Sequence, residues 1–350
     1  MAFGLHCRVF PPGTPAGRIG EKALLHHIRS RIPAQRGVVV GIGDDAAAVE
    51  TGPLTLVTTD CLVEGVHFRV AWGPAALVGR KALSVNLSDV DAMGGRPRYA
   101  TVSLCLPPAT PMEFVDGLYD GLLERASEAE VQIVGGNLSS TRDAIVVDVT
   151  LLGQGEMIVR RNGARPGHVA LVTGTLGAAS MGLRLMGEGR RLESGAGGGP
   201  GVHEGRCMRA QLDPAPPLGF GQAAARAGLL HAAIDLSDGL SGDLLTLCQE
   251  SGVAAWVDAD AVPIDAAAMA LERERGGDPL DLAIHGGEDY ELLLAAAPEA
   301  VPQLRDLAAA MKVAVTVIGG FADGEPGVSL RTAKTATPLV PRSHEHFRAG

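Results

Sequence analysis

The sequence predicts a two-domain α/β protein whose first half has α+β character, and three observations carry that prediction. Strand and helix signals follow one another along most of the chain. A break in them falls near residues 154 to 160. The 350 residues, 46% of them apolar, suffice for two ordinary domains with a core each. Aromatic residues make up only 3% of the chain, so those cores are expected to be aliphatic.

Residues 1 to 18 read as a loose extension, with a first domain over 19–155 and a second over 156–347. In the first domain, Val38 to Ile42 is a short β-rich run and Leu54 to Thr59 a second strand. Pro74 opens a helix to about Met93, where Gly94-Gly95 stops it. Tyr99 to Leu106 is a strand. Thr110-Pro111-Met112-Glu113 reads as a capped helix start, with Thr110 the cap and Glu113 completing a capping box, and the helix runs to about Glu130. Val131 to Val134 and Ala144 to Leu152 close the block.

In the second domain, strands are expected at His168–Thr173, Ala232–Leu236, Val253–Val257, Tyr290–Ala295 and Ala314–Ile318. Helices are expected at Ala178–Met186, Leu240–Glu250 and Val301–Met311. Ser194 to Gly201 is a glycine-rich surface loop.

A formal net charge of -10 with no run of Lys or Arg argues against a nucleic-acid partner. Arg160-Arg161 and Arg190-Arg191 read as solvated loop pairs. Cys7, Cys61, Cys105, Cys207 and Cys248 are odd in number, widely spaced and without a C-x-x-C pair. They fit neither zinc nor a disulfide framework, and suggest a reducing compartment. No signal peptide and no membrane-spanning stretch is read, so the expected location is the cytoplasm.

Gly41-x-Gly43 after a strand invites a dinucleotide-binding reading. The third glycine is missing, and Asp44-Asp45 stand where a pyrophosphate needs amides and no negative charge. There is no P-loop either. The acidic clusters are more informative: Asp44-Asp45, Thr58-Thr59-Asp60, Ser88-Asp89 with Asp91, Asp235 with Asp238, and Glu288-Asp289. Each alone is accounted for by capping or turn chemistry. Carboxylates sharing one site repel by about 4 kcal/mol per pair at 4 Å and an effective dielectric near 20, so a cation must offset them. Hard oxygen donors favour Mg²⁺ or Ca²⁺ over zinc, and Mg²⁺ bridges carboxylates to phosphates. His67 taken alone reads as a structural histidine. Asn86-Leu87-Ser88-Asp89 is echoed by Asp235-Leu236-Ser237-Asp238.

Taken together, five motifs resemble those of the thiamine-monophosphate kinases. They are Gly-Ile-Gly-Asp-Asp-Ala-Ala (41–47), Thr-Thr-Asp-Cys-Leu-Val-Glu-Gly-Val-His-Phe (58–68), Lys-Ala-Leu-Ser-Val-Asn-Leu-Ser-Asp-Val-Asp-Ala-Met-Gly (81–94), Ala-Ile-Asp-Leu-Ser-Asp-Gly-Leu (233–240) and Gly-Gly-Glu-Asp-Tyr-Glu-Leu (286–292). The resemblance spans roughly residues 20 to 347. It implies a two-domain fold like that of aminoimidazole ribonucleotide synthetase, a homodimer paired through the N-terminal sheets, and an ATP site between the domains. It also implies phosphorylation of thiamine monophosphate by ATP with magnesium; because the acceptor is an anionic phosphate monoester, several Mg²⁺ ions and direct in-line transfer are expected.

The resemblance implies roles as well. Asp45, Thr58, Thr59, Asp60, Asp89 and Asp235 would be magnesium ligands, with Asp238 a further one; Asp45, Asp60, Asp89 and Asp235 would form the catalytic set. Tyr119, Gly136, Asn137, Arg161 and Ser237 would lie on the nucleotide and His67 and Glu288 on the thiamine phosphate. Two positions depart from the family pattern. Gly135-Gly136-Asn137 stands where Gly-Gly-Asp is usual, so a metal ligand loses its charge. His344-Glu345-His346-Phe347 lacks the usual aromatic, leaving His344 to stack on the thiamine ring.

Two alternatives stay open. One is another enzyme of this fold, such as selenophosphate synthetase or the hydrogenase-maturation dehydratase; the setting of Cys7 and the ending Phe-Arg-Ala-Gly argue against these. The other is a non-catalytic binder of thiamine phosphates or nucleotides, motivated by Asn137.

Overall fold

The structure, a computed structural model, describes residues 10–11, 13–15, 18, 27–28, 30–33, 38–40, 48–52, 54–192 and 201–342. These fall into two compact units. One is drawn from Met1–Asn86 and Pro97–Gln154, the other from Leu87–Arg96 and Gly155–Gly350.

In the first unit, β1 (Val38–Val40) and β2 (Ala48–Val49) form a two-stranded antiparallel pair. β3 (Thr55–Val63), β4 (Arg96–Leu106), β5 (Gln132–Ser140) and β6 (Val146–Gln154) form a four-stranded sheet in the order β3-β6-β4-β5. Its alternation is plain in β6, where Val147, Val149 and Leu151 are fully buried and the residues between them are not. Two helices belong here: α1 (Ala75–Ala92), whose last turn lies in the second unit, and α2 (Met112–Glu128). They meet backbone to backbone, because a Cβ on Gly79 would sit 1.9 Å from the Leu118 carbonyl and one on Gly121 1.8 Å from that of Ala76.

α2 is not capped as the sequence suggests. Pro111, not Thr110, is the N-cap residue, and no side chain caps the helix. The Met112 amide donates instead to the carbonyl of Thr14 at 3.0 Å, and the Gly13 amide donates to the Glu113 carboxylate. A distant strip of chain has taken the place of the local cap.

The second unit is built on a seven-stranded sheet. Its strands are β7 (Val169–Thr173), β8 (Ala232–Asp235), β9 (Ala254–Asp258), β10 (Leu292–Ala296), β11 (Val315–Ala322), β12 (Gly327–Arg331) and β13 (Ala336–Pro338), in the order β13-β12-β9-β11-β7-β10-β8. Only β9 and β12 run parallel. The helices are α3 (Ala178–Gly187), α4 (Val202–Leu212), α5 (Phe220–Arg226), α6 (Leu240–Ser251), α7 (Ala266–Glu274), α8 (Pro279–His285) and α9 (Val301–Met311).

β10 reads Leu-Leu-Leu-Ala-Ala without alternation because both its faces are covered. Leu293 and Ala295 join Leu240, Leu244 and Leu247 of α6 in one core. Leu292 and Leu294 join Phe220 and Ala224 of α5 and Leu304 and Ala308 of α9 in another.

The sequence reading passed over α4, α5, α7, α8, β12 and β13, although α7 and α8 carry plain start signals. Asp265 accepts from the amides of Ala267 and Ala268 at 2.9 and 3.2 Å, and Asp278 from that of Leu280 at 2.9 Å, just before Pro279. The expected loop at 194–201 falls outside the described residues except for Gly201, which precedes α4. Among the described residues Cys61, Cys105, Cys207 and Cys248 are free, and no helix is long and apolar enough to cross a membrane.

Candidate active site

β8 ends on Asp235, which is 3% exposed, and the chain then turns sharply through Leu236-Ser237-Asp238-Gly239 into α6. Gly239 takes φ 107, and a Cβ there would meet the Gly286 carbonyl at 2.7 Å. The first turn of α6 closes the loop: the Asp243 carboxylate accepts from the amides of Asp238 and Gly239 at 3.2 and 3.0 Å. Burial pushes the Asp243 carboxyl up to about 8, and the charges of Asp235 and Asp238 push the same way against those two amides.

A second strip of backbone lies on this loop. The amide of Glu288 donates to the Ser237 carbonyl at 2.8 Å and that of Tyr290 to the Leu236 carbonyl at 2.9 Å. The approach explains Gly287, where a Cβ would sit 2.6 Å from the Ser237 carbonyl; at Gly286 a Cβ would instead meet the Leu282 carbonyl and the Ser180 side chain, each at 2.5 Å. It also forces Glu288 (φ 65) and Tyr290 (φ 52) into the left-handed region, which non-glycine residues avoid outside constrained sites. The Glu288 side chain accepts from the Gln211 amide, on α4. Asp289 accepts from the Gly177 amide at 3.1 and 2.9 Å, and burial pushes its carboxyl up to about 8.

The last turn of α1 completes this constellation. The buried Ser88 hydroxyl donates to Asp235 Oδ2 at 2.9 Å, so the two echoing Ser-Asp motifs meet in space. Asp89 beside it is half-buried. Asp91 faces elsewhere: its carboxylate accepts from the amides of Gly219, Gly221 and Gln222 at 3.1, 3.1 and 3.2 Å, binding α1 to the start of α5. Arg161 is exposed, and its carbonyl accepts from the Ser251 hydroxyl at 2.8 Å.

The first unit holds the other expected site residues. Thr58 and Asp60 alternate with Thr59 along β3, so Thr59 faces the opposite side of the sheet. There its hydroxyl lies 3.1 Å from that of Thr150 and 3.4 Å from the Asp148 carboxylate. Thr58-Thr59-Asp60 therefore presents two side chains to one face and one to the other.

His67 is held in a tight turn. Its amide donates to the Val63 carbonyl at 2.9 Å, and the Val63 amide donates back to His67 Nδ1 at 3.0 Å. The neutral ring therefore carries its proton on Nε2. Tyr119 is only 5% exposed within α2, and burial pushes its hydroxyl up to about 12.

Gly136 and Asn137 lie on β5 just past a bulge at Val134, where the register with β4 shifts between Ala100 and Thr101. Gly136 opposes Val102 and Asn137 opposes Ser103; the Asn137 side chain is exposed. Asp44, Asp45 and His344 lie outside the described residues.

Sequence reasoning missed Gln211 and Asp243. Asp243 carried a signal, an acid in the first turn of a helix that was itself expected. Gln211 carried none, because its helix was not read. Among the described residues no three His, Cys, Asp or Glu side chains form a ready metal cluster.

Residues 43–155 match the AIR synthase related protein N-terminal domain, and residues 165–330 match the corresponding C-terminal domain. Fold and site thus define a two-domain AIR synthase related protein, as the motifs implied. The thiamine-monophosphate kinase of Mycobacterium tuberculosis is 39% identical over 284 residues, 79% of this chain and 80% of that one. The crystal structure of thiamine-monophosphate kinase from Stenotrophomonas maltophilia K279a superposes with a TM-score of 0.78 at 35% identity, over 90% of this chain and 96% of that one. AaThiL complexed with AMPPCP and TMP superposes with a TM-score of 0.74 at 32% identity, over 94% and 98%. The chain belongs to the thiamine-monophosphate kinase family.

Proposed function

We propose that this chain transfers the γ-phosphoryl group of ATP to the phosphate of thiamine monophosphate, giving ADP and thiamine diphosphate. The observation that carries this reading is the loop after β8. There Asp235, Ser237 and Asp238 are backed by Ser88 and Asp243, and Glu288 is fixed on the loop's own backbone. The complex of AaThiL, a relative, with AMPPCP and TMP supports it.

Magnesium fits the donor set. The candidate ligands are hard oxygens, and the charges of Asp235 and Asp238, which add to burial in raising Asp243, are charges a cation offsets. Asp235, Asp238 and Asp89 would hold one ion in the second unit, and separate ions in the first would take Thr58 and Asp60 on β3 and Asn137 on β5, strands that β6 and β4 keep apart. When bound, magnesium supplies neutralisation between two anionic reactants.

The residues do the rest by position. Ser88 fixes the Asp235 carboxylate, Arg161 offers a cation to the phosphates, and His67 donates from Nε2 to the acceptor phosphate. The acceptor is already dianionic and needs no general base, so orientation and charge carry the catalysis and transfer proceeds in line.

The deciding assay incubates purified protein with ATP, Mg²⁺ and thiamine monophosphate and measures thiamine diphosphate. Failure to form it at any magnesium concentration sinks the reading; tight substrate binding without turnover would point to a non-catalytic binder. Recovery of a covalent phosphoprotein during turnover would exclude direct transfer.

Two substitutions probe the assignments. His67→Gln keeps a donor where Nε2 stands and is expected to hold KM for thiamine monophosphate within a few-fold. His67→Asn can still accept from the Val63 amide but cannot reach the phosphate, so KM should rise about 10- to 100-fold, as for loss of a hydrogen bond to a charged group. Equal KM values for the two variants would remove His67 from the acceptor site. Asn137→Asp restores a charge and should lower the magnesium concentration for half-maximal rate severalfold. An unchanged or raised requirement refutes a metal role for position 137.

The reading extends to a homodimer formed through the four-stranded sheet, supported by Val57 on its edge strand, which is 65% exposed. It extends also to a cytoplasmic location, which the free cysteines support. Sedimentation at a single protomer's mass would remove the dimer.

A further inference from the structure

Gln211 stands near the end of α4 and is 1% exposed. Its Nε2 donates to Glu288 Oε2. A carboxylate only accepts, so the amide must turn its NH₂ toward Glu288 and its oxygen away. That oxygen, Oε1, is buried and has no hydrogen-bond partner among the described residues. An unsatisfied buried acceptor costs stability, and a methionine of similar length would fill the space without that cost. Packing therefore does not explain a glutamine here.

Its partner does. Glu288 is held at φ 65 directly after Gly287, whose backbone presses on Ser237 and Asp238 with no room for a Cβ. The backbone sets where the Glu288 side chain starts, and Gln211 sets where its carboxylate ends.

We infer that Gln211 is a positioning residue for substrate selection: it orients the Glu288 carboxylate to receive the cationic, N–H-bearing thiamine end of the acceptor. The inference rests on the proposed function and adds to it a residue from an element the motifs do not include.

The test compares Gln211→Met and Gln211→Glu with the parent enzyme. Each is assayed for KM of thiamine monophosphate, KM of ATP, kcat and melting temperature. Gln211→Met loses the donor. Its KM for thiamine monophosphate is expected to rise about tenfold, with KM for ATP and kcat within about threefold and melting temperature equal or higher. Gln211→Glu keeps the shape but sets a carboxylate against Glu288, and its KM for thiamine monophosphate should rise further than that of the methionine variant.

Unchanged KM for thiamine monophosphate in both variants overturns the inference. So does a fall in kcat and melting temperature with no change in that KM, which marks a merely structural residue. A parent that makes no thiamine diphosphate fails the proposed function instead, so the two failures are told apart.

Discussion

Asp235→Asn is expected to lower kcat/KM for the kinase reaction about 100- to 1,000-fold, the scale for removing one preorganised electrostatic group. The residue is 3% exposed, ends β8, and accepts from Ser88 at 2.9 Å. An asparagine fits the same space but carries no charge for a cation. The loss should be accompanied by a melting temperature that holds or rises. Asp243, raised to about 8 by burial and by the charges of Asp235 and Asp238, binds its proton more tightly folded than unfolded. It therefore costs stability as pH climbs from the ordinary carboxylate range to about 8. Removing the neighbouring charge shrinks that cost. Steady-state kinetics with a thermal melt at pH 7.5 check both halves; a variant that keeps its rate, or loses rate and fold together, contradicts this placing of Asp235.

Gly136→Ala should be a severely damaging single-methyl change in the first unit. An added Cβ would stand 2.0 Å from the Val102 carbonyl, a backbone atom inside the β4–β5 ladder that cannot step aside as a side chain does. Overpacking of that kind costs about 3 kcal/mol, or roughly 4 °C in Tm for 350 residues melting together and more if the first unit melts alone. Activity should fall as well, because Asn137 is the next residue on the displaced strand. Gly187→Ala is the contrast: that exposed glycine ends α3 with nothing within 4 Å of an added Cβ, and the change should be neutral or slightly stabilising. Calorimetry on both variants decides the matter, and a Gly136→Ala melt within about 2 °C of the parent would mean that β5 yields easily.

Much of the fold was legible because its signals are local. The helix from Pro74 to Gly94-Gly95, the helix Val301–Met311 and the apolar run of β10 all announce themselves within a dozen residues. The start of α2 did not follow its local signal. Thr110 and Glu113 spell a capping box, yet the Met112 amide is met by the carbonyl of Thr14. α4 was passed over because its amphipathic pattern is broken by Gly205 and three arginines or histidines, and it follows a glycine-rich stretch that reads as loop. Its stability comes from packing rather than propensity.

The sequence by itself determined the family, through its motifs in order, and set out the candidate bearers of its chemistry as acidic groups with hard oxygen donors. Only the tertiary structure decided which of them act as neighbours. Ser88 and Asp235, 147 residues apart, share a hydrogen bond, and Gln211 reaches Glu288 across 77 residues. It also turned Asp91 aside to hold α5, and gave the two echoing Ser-Asp motifs a common place. The physical reason is the range of the forces involved. Turn and helix preferences act within a few residues and are written in the chain. Which buried carboxylate finds an amide, a hydroxyl or another charge depends on packing that brings distant residues together.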